Sequence, residues 1–397
     1  MQTTDYDIVI VGNGVVGMTF ACALAHTPLR IAILDHEVPA EEAFTSSYDL
    51  RVSAINLNSQ QVFQQLNVWP MIAATCPSPF REIRVWDTLG QGAIHFSSQQ
   101  LAEPQLGHII EQRVMISALR EHLATCEHVE ILRPVHPHLL QITDNGVQLQ
   151  LTNGQSLTAQ LLVGADGAHS WVRQTAGIPL HGWSYHHKAL VTTVHTELPH
   201  QETAWQCFWP DGPLALLPLA DHHHCSIVWS TLPARAEQLL SMTDDDFNKT
   251  LTATFQQRLG QLRKIDRLLD FPLHMRHVKQ YVKPHLALIG DAAHTLHPLA
   301  GQGVNLGIAD ACSLAKGIDK ALQKGRAIND WQTLRHYERS RKGDNWKMIA
   351  FVELFKRLFA SRLPLAIHAR AVGLNFTDRQ TLLKAFFVKQ ATGRDNK

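Results

Sequence analysis

The chain has 397 residues, 45% of them hydrophobic and 18% charged, with a formal net charge of +1. That length allows two or three domains with a sizeable core, and the balanced charge gives no case for nucleic acid or an acidic polymer as partner. Six cysteines (Cys22, Cys76, Cys126, Cys207, Cys225, Cys312) form no C-x-x-C pair, which argues against a metal site or disulfide framework and for a reducing compartment.

Asp5 and Asp7 precede the first apolar run, so no secretory signal is expected. No window approaches the roughly 20 apolar residues of a spanning helix, and the chain is expected to be soluble or peripheral. Asp7–Val11 is a short buried-strand run feeding Gly12-Asn-Gly-Val-Val-Gly17. A helical pattern follows through Leu24, then a second strand, Arg30–Leu34, ending on Asp35. In a strand–helix–strand–acid context this G-x-G-x-x-G loop signals a bound dinucleotide. Gly12 makes the turn, Gly14 lets backbone approach a pyrophosphate, Gly17 packs helix on strand, and Asp35 meets a ribose.

Arg51–Ile55 precedes a predicted helix from Ser59 to Leu66 and a link at Val68–Pro70. A strand is predicted at Ile83–Asp87 and a glycine turn at Gly90–Gly92. Helical spacing returns over Glu111–Leu119, and residues 129–160 alternate as an antiparallel segment with turns at Asp144–Gly146 and Asn153–Gly154. Leu161–Ser170 then repeats the opening theme: an apolar strand followed by Gly164, Asp166 and Gly167, with Arg173 beyond.

From about 180 to 275 the alternating runs Ala189–His195, Ala204–Phe208, Leu214–Leu219 and Ser226–Trp229 predict an antiparallel sheet, with a helix over Thr243–Gln261. Its tryptophans Trp183, Trp205, Trp209 and Trp229 are expected to be core. Among 24 histidines, His222–His224 falls between two apolar runs and reads as a hairpin turn rather than a metal site.

Leu286–Gly307 carries an apolar strand, Gly290-Asp291 at its end, a loop with Pro298, Gly301 and Gly303, and a helical pattern from Val304. Ligands of open α/β sheets bind at strand carboxyl ends and helix amino termini, so this stretch is a candidate site. The remainder reads as helices. Residues 341–370 hold Arg341, Lys342, Lys347, Lys356, Arg357, Arg362 and Arg370 interleaved with bulky apolar residues. That pattern fits a helix packed on the domain with a solvated basic face, or a helix lying on an anionic membrane.

One glycine loop with no second copy points to one extended dinucleotide, FAD, shared between strand ends. Gly12-x-Gly14-x-x-Gly17, Gly164-x-Asp166-Gly167-x-x-Ser170-x-x-Arg173 and Gly290-Asp291-x-x-His294-x-x-x-Pro298-x-x-Gly301-Gln302-Gly303 occur in that order. Together they resemble the three motifs of the single-component FAD-dependent aromatic hydroxylases. Arg51–Ile55, Leu106–Glu111, Cys225–Ser230 and His297–Gly307 resemble more particularly the ubiquinone-biosynthesis hydroxylases, closest to the 2-polyprenylphenol hydroxylase branch. The resemblance runs from about residue 5 to about residue 345.

The resemblance implies an α/β fold: a Rossmann-like FAD-binding domain (glutathione-reductase-like, three-layer ββα) with an inserted antiparallel β-sheet substrate domain and C-terminal helices. Residues 1–75, 105–180 and 276–340 would form the FAD-binding domain, 76–104 and 181–275 the substrate domain, and 341–397 the helical region. Gly12, Gly14, Val16, Gly17 and Asp35 would hold the ADP half of FAD. Arg51, Gln112 and Arg113 would approach the flavin or pyrophosphate, Asp166 and Gly167 the junction with NAD(P)H, and Gly290 and Asp291 the ribityl-pyrophosphate. Pro298, Leu299, Ala300, Gly301, Gln302, Gly303, Val304 and Asn305 would border the isoalloxazine, with no metal.

Asp35 stands where the family usually has Glu, Asn13 where Gly is commoner, and His169 where Asn is commoner. The implied reaction is hydroxylation of a polyprenylated phenol by NAD(P)H and O₂ through a flavin C4a-hydroperoxide, with orientation and water exclusion as the protein's task. No base is assigned; His294 and His297 are expected to pack the loop. The implied setting is cytoplasmic, with contact to the inner membrane face or to other quinone-biosynthesis proteins left open. A non-catalytic FAD-binding scaffold and a flavin reductase of an isoprenoid share these features.

Overall fold

Four consecutive apolar residues, Ile8–Val11, are buried on both faces, which is what a central parallel strand requires. In the computed structural model, which describes residues 4–36, 48–75, 77–296, 301–380 and 384, the strand Tyr6–Val11 lies between Ser156–Gly164 and Ile31–Leu34, parallel to both. Leu286–Leu288 adds beyond Ser156–Gly164 and Val129–Leu132 beyond Ile31–Leu34, again parallel. The register pairs Val11 with Gly164, and Gly164 with Leu288. The three glycine motifs therefore leave the sheet side by side at one edge. Residues 129–132 belong to this parallel sheet, correcting the antiparallel reading of their segment. Antiparallel pairing begins with Pro137–Thr143 and Gly146–Leu151.

A second sheet of nine strands is built mainly from residues 180–278, its long strand Leu180–Thr196 pairing with both His224–Thr231 and Leu269–Val278. It is antiparallel except where Thr203–Trp209 runs parallel to Glu82–Asp87. His222 and His223 form the expected hairpin turn. Trp205 and Trp229 are buried, but Trp183 is 44% exposed and so is not core. The predicted helix over Thr243–Gln261 ends at Thr254, where Gln256 and Gln257 take positive φ, and a separate helix at Pro233–Leu240 precedes it. Val68–Pro70 is not a link but leads into the helix Trp69–Ala74, with proline in its first turn.

Gly290–Ala293 crosses between the two sheets. Leu286–Leu288 lies in the parallel sheet, while His294–Thr295 pairs with Leu269–Val278 in the other. The third motif is thus one of the covalent crossings between the sheets, as are residues 165–179 and 279–281.

The carboxyl-terminal helices Trp331–Ala360 and Pro364–Arg379 pack on this frame. Arg370 is fully buried and donates through Nε and Nη2 to both oxygens of Asp87, at 2.6 and 3.1 Å. Its Nη1 donates to the carbonyls of Leu358, Phe359 and Ser361, groups that the end of a helix leaves without partners. One guanidinium thus ties the sheet and both helices together. Asn375 and Asp378 accept from the backbone N–H groups of Ala93 and His95, covering an edge strand that would otherwise be open to pairing. Arg341 is buried as well, so these two arginines leave the solvated basic face expected of 341–370.

Arg370→Met would leave the buried Asp87 without its cationic partner, a change that costs about 3–5 kcal/mol. Thermal unfolding should show that loss. The double variant Asp87→Leu/Arg370→Met should recover much of it.

Candidate functional site

The first glycine loop is set by close backbone approaches. Gly12 has φ +115, and a Cβ on it would stand 2.4 Å from the Ala165 carbonyl; a Cβ on Gly17 would stand 2.2 Å from the Gly12 carbonyl. The first and second motifs therefore touch through backbone alone. Val16 reaches the third, lying 3.1 Å from where a Gly290 Cβ would be. At Gly14, Gly167 and Gly303, by contrast, a Cβ would meet no described atom within 4 Å. Those three positions form an open cradle at the same sheet edge, and Gly303 opens the helix Gly303–Gln323, whose free N–H groups favour an anion.

Asn13 donates from Nδ2 to Asp35 Oδ2 at 2.8 Å, so two departures from the resembled pattern are each other's partner. Asn13 Oδ1 is buried without a hydrogen bond among the described residues.

A cavity of about 1640 Å³ lies between the two sheets and the last helices. Of the expected site residues, Arg51, Gln112, Gly167, Asp291, Gly301, Gln302 and Asn305 line it. Gly12, Gly14, Val16, Gly17 and Asp35 are not among its lining residues and sit where the strands Tyr6–Val11 and Ile31–Leu34 end. Pro298, Leu299 and Ala300, with His297, fall outside the described residues. Arg113 pairs with Glu111 at 2.7 Å. Val304 packs against the main core.

Two carboxylates at the strand ends differ in use. Asp166 accepts from Ser170 Oγ at 2.5 Å and from the Val172 N–H at 3.0 Å, so it caps the helix Trp171–Thr175. Gly167 and Ala168, and not Asp166, line the cavity. Arg173, buried, donates to the Ala168 and Ala292 carbonyls and joins the second motif to the third. Asp291 opens onto the cavity although protein crowds its other sides. That desolvation raises its pKa, with His294 pulling it down and Asp310 pushing it up.

Asn305 donates to the Ala54 carbonyl at 2.8 Å and accepts from the Asn56 N–H at 3.1 Å. It clamps the strand Val52–Asn56, which follows Arg51, onto the helix behind the loop.

Sequence reasoning missed the group that holds the loop. Asp310, fully buried, takes His294 Nε2 at 2.5 Å and the Gly290 N–H at 3.2 Å on one oxygen, and Arg341 Nε at 2.7 Å on the other. Asn345 bridges Arg341 to Tyr281, whose hydroxyl meets His277 Nε2 at 3.1 Å. Burial and neighbouring positive charge hold His277 down to about 4. The available signal was an acid on the apolar face of 303–323 and an arginine in the next helix. His294, itself buried, is held by that carboxylate behind the loop.

A family model described as FAD binding domain matches residues 5–352. The 3-demethoxyubiquinol 3-hydroxylase of Escherichia coli is 37% identical over 99% of this chain and 100% of that protein. The chain belongs to the FAD-dependent ubiquinone-biosynthesis hydroxylase family. It is also 33% identical to the mitochondrial ubiquinone biosynthesis monooxygenase of Xenopus tropicalis, over 96% of this chain and 91% of the relative. A ubiquinone hydroxylase of Rhodospirillum rubrum is 33% identical over 98% and 89%. Among solved structures, p-nitrophenol 4-monooxygenase from Pseudomonas putida has a TM-score of 0.81 at 18% identity, covering 99% of this chain and all of that one, a likeness of fold.

The hydroxylase is a flavoprotein, and its residues fit FAD. The cradle at Gly14, Gly167 and Gly303 leaves room for a ligand at bare backbone, and Asn13 Oδ1 awaits a donor. Among the described residues no helix is long and apolar enough to cross a membrane.

Burial alone would raise the Asp310 pKa, but His294 and Arg341 outweigh it and hold it below the ordinary carboxylate value. A depressed folded pKa contributes stability that is complete above the unfolded value, near about 4, and lost as pH falls through the folded one. Asp310→Asn should therefore lower the melting temperature at neutral pH, by the equivalent of about 3–5 kcal/mol for a broken buried pair. The gap to the parent should close below about pH 4. Melting curves that stayed equally far apart from neutral to strongly acid pH would count against this.

Proposed function

We propose that the hydroxylase adds oxygen to the aromatic ring of a polyprenylated phenol in ubiquinone biosynthesis, using NAD(P)H and O₂. The observation that carries this reading is a cavity that starts at the flavin-loop residues Asp291, Gly301 and Gln302 and continues between apolar surfaces of the nine-stranded sheet and the last helices. Bound FAD, reduced by NAD(P)H and reacting with O₂, would supply the electrophilic oxygen.

The chain's own contribution is binding, orientation and exclusion of water. Backbone at Gly12, Gly14, Val16 and Gly17 holds the ADP half, with Asp35 and Asn13 at the ribose. Arg51, Gln112 and Arg113 serve the flavin side, Asp291 the ribityl-pyrophosphate, and Gly301–Gly303 the isoalloxazine. Asp166 acts through the loop it caps, positioning Gly167. The nine-stranded sheet serves as substrate domain on a glutathione-reductase-like cofactor domain. Contact with the inner face of a membrane is part of the proposal, supported by Leu354, Leu363 and Leu365, which are 65%, 68% and 81% exposed beside Arg357 and Arg362.

With isotopically heavy oxygen gas and a 2-polyprenylphenol, the FAD-loaded protein should return product carrying one heavy atom. No product from any polyprenylphenol would remove the reading. An Asp291→Ala protein that lost FAD yet restored quinone synthesis in deficient cells would favour the scaffold, and a reduced, unoxygenated product the reductase.

Asn13→Ala removes the amide that orients Asp35 and leaves the ribose one partner short. FAD should then dissociate about tenfold more readily, the effect of one lost hydrogen bond of about 1.4 kcal/mol. Recovery of flavin fluorescence on dilution measures this.

A further inference from the structure

Beyond the cofactor loops, the wall of the cavity changes character. Between the nine-stranded sheet and the last two helices it is made of Val85, Phe208, Val352, Phe355, Phe359 and Leu374. These residues come from three separate parts of the chain and pack on one another. Phe208 stacks on Phe359 with centroids 4.0 Å apart, and Phe355 lies 6.0 Å from Phe359. The charges bordering this arm are already engaged: Arg370 with Asp87, Arg341 with Asp310 and Asp344, Lys347 with Asp344, and Asp270 with Lys188. A polar ligand would find little here to replace its water, whereas an apolar one gains by entering.

Part of the about 1640 Å³ cavity is the cofactor's own, where Arg51, Gln112, Asp291, Gly301 and Gln302 line it; the apolar arm is lined by none of these residues.

We propose that this apolar arm binds the isoprenoid tail of the substrate, and that Val352, Phe355 and Leu374 on the last two helices set the tail length accepted. The inference rests on the hydroxylase reading for the identity of the ring, and on the cavity for the tail. A polyisoprenoid chain has no hydrogen-bonding group and fills such a slot through area burial, each buried methylene being worth about fourfold in affinity. The latch at Arg370 and Asp87 would then serve binding as well as stability, because it holds the two helices against the sheet at the distance the tail requires.

Gly373 lines the same arm, and a Cβ there would meet no described atom within 4 Å. Gly373→Leu and Gly373→Phe therefore narrow the arm in two steps without touching the cofactor loops. The test uses the full FAD-loaded protein and 2-polyprenylphenols carrying one or several isoprene units. A second probe, a polyprenylbenzene without a ring hydroxyl, reports binding through the flavin absorption spectrum.

In the parent, affinity should rise with tail length. In each variant, KM and Kd for the long tail should rise about tenfold or more, equivalent to two or more methylenes losing their place. The one-isoprene phenol should keep its kcat and KM within about twofold by the same measure, and FAD content and melting temperature should match the parent. Equal affinity for short and long tails in the parent, or equal changes for both in the variants, would overturn the tail site. If no phenol is hydroxylated while polyprenylbenzene binding still grows with length and falls in the variants, the tail site stands and the hydroxylase reading falls.

Discussion

A carboxylate with no access to water holds this structure's central joint. Asp310 sits on the helix Gly303–Gln323 and binds His294, Arg341 and the Gly290 N–H at once. Burial would drive a proton onto it; His294 and Arg341 reverse that preference. Well-packed apolar residues could match a buried ion group for stability, so what such a group supplies best is position. Here the position is that of Gly290–Ala293, a segment that passes from the parallel sheet into the nine-stranded one.

From that joint the site follows. The parallel register brings the ends of Tyr6–Val11, Ser156–Gly164 and Leu286–Leu288 level, so three loops distant in sequence open on one edge. Bare backbone at Gly14, Gly167 and Gly303 makes the cradle, and Arg173 ties the second loop to the third. The antiparallel sheet then stands over this edge as a wall. Its far side is closed by the last two helices, fixed by Arg341 at the joint and by Arg370 at the strand Glu82–Asp87.

The glycine loops were legible in the sequence because their requirements are local: a tight turn, a close backbone approach and a following helix lie within a few residues. The hairpin at His222–His223 was legible for the same reason. Partnership across the chain was not. Asp310 with Arg341 and Asp87 with Arg370 are joined only by folding, and a run of basic residues looks the same whether its members are solvated or buried. Strand direction was equally hidden at Val129–Leu132, since alternation within a short strand says nothing of its neighbour's sense. Asp166 shows a further limit: nothing local in the sequence tells that its oxygens accept from Ser170 Oγ and the Val172 N–H.

Asn13 and Asp35 illustrate how two departures from a pattern can make sense only together. Aspartate is one methylene shorter than the glutamate usual at that position, so its carboxylate stays nearer the strand end. Asn13, where a glycine would offer no side chain, reaches that carboxylate and fixes it at 2.8 Å. The amide's own oxygen is left buried and turned to no described partner, a state that is unfavourable unless a ligand donor completes it. In the proposed site the ribose hydroxyls are that donor, and the reach lost at Asp35 is made up at Asn13. In that proposal ribose recognition falls to a pair of side chains on neighbouring loops rather than to one acid, and neither residue taken alone would show it.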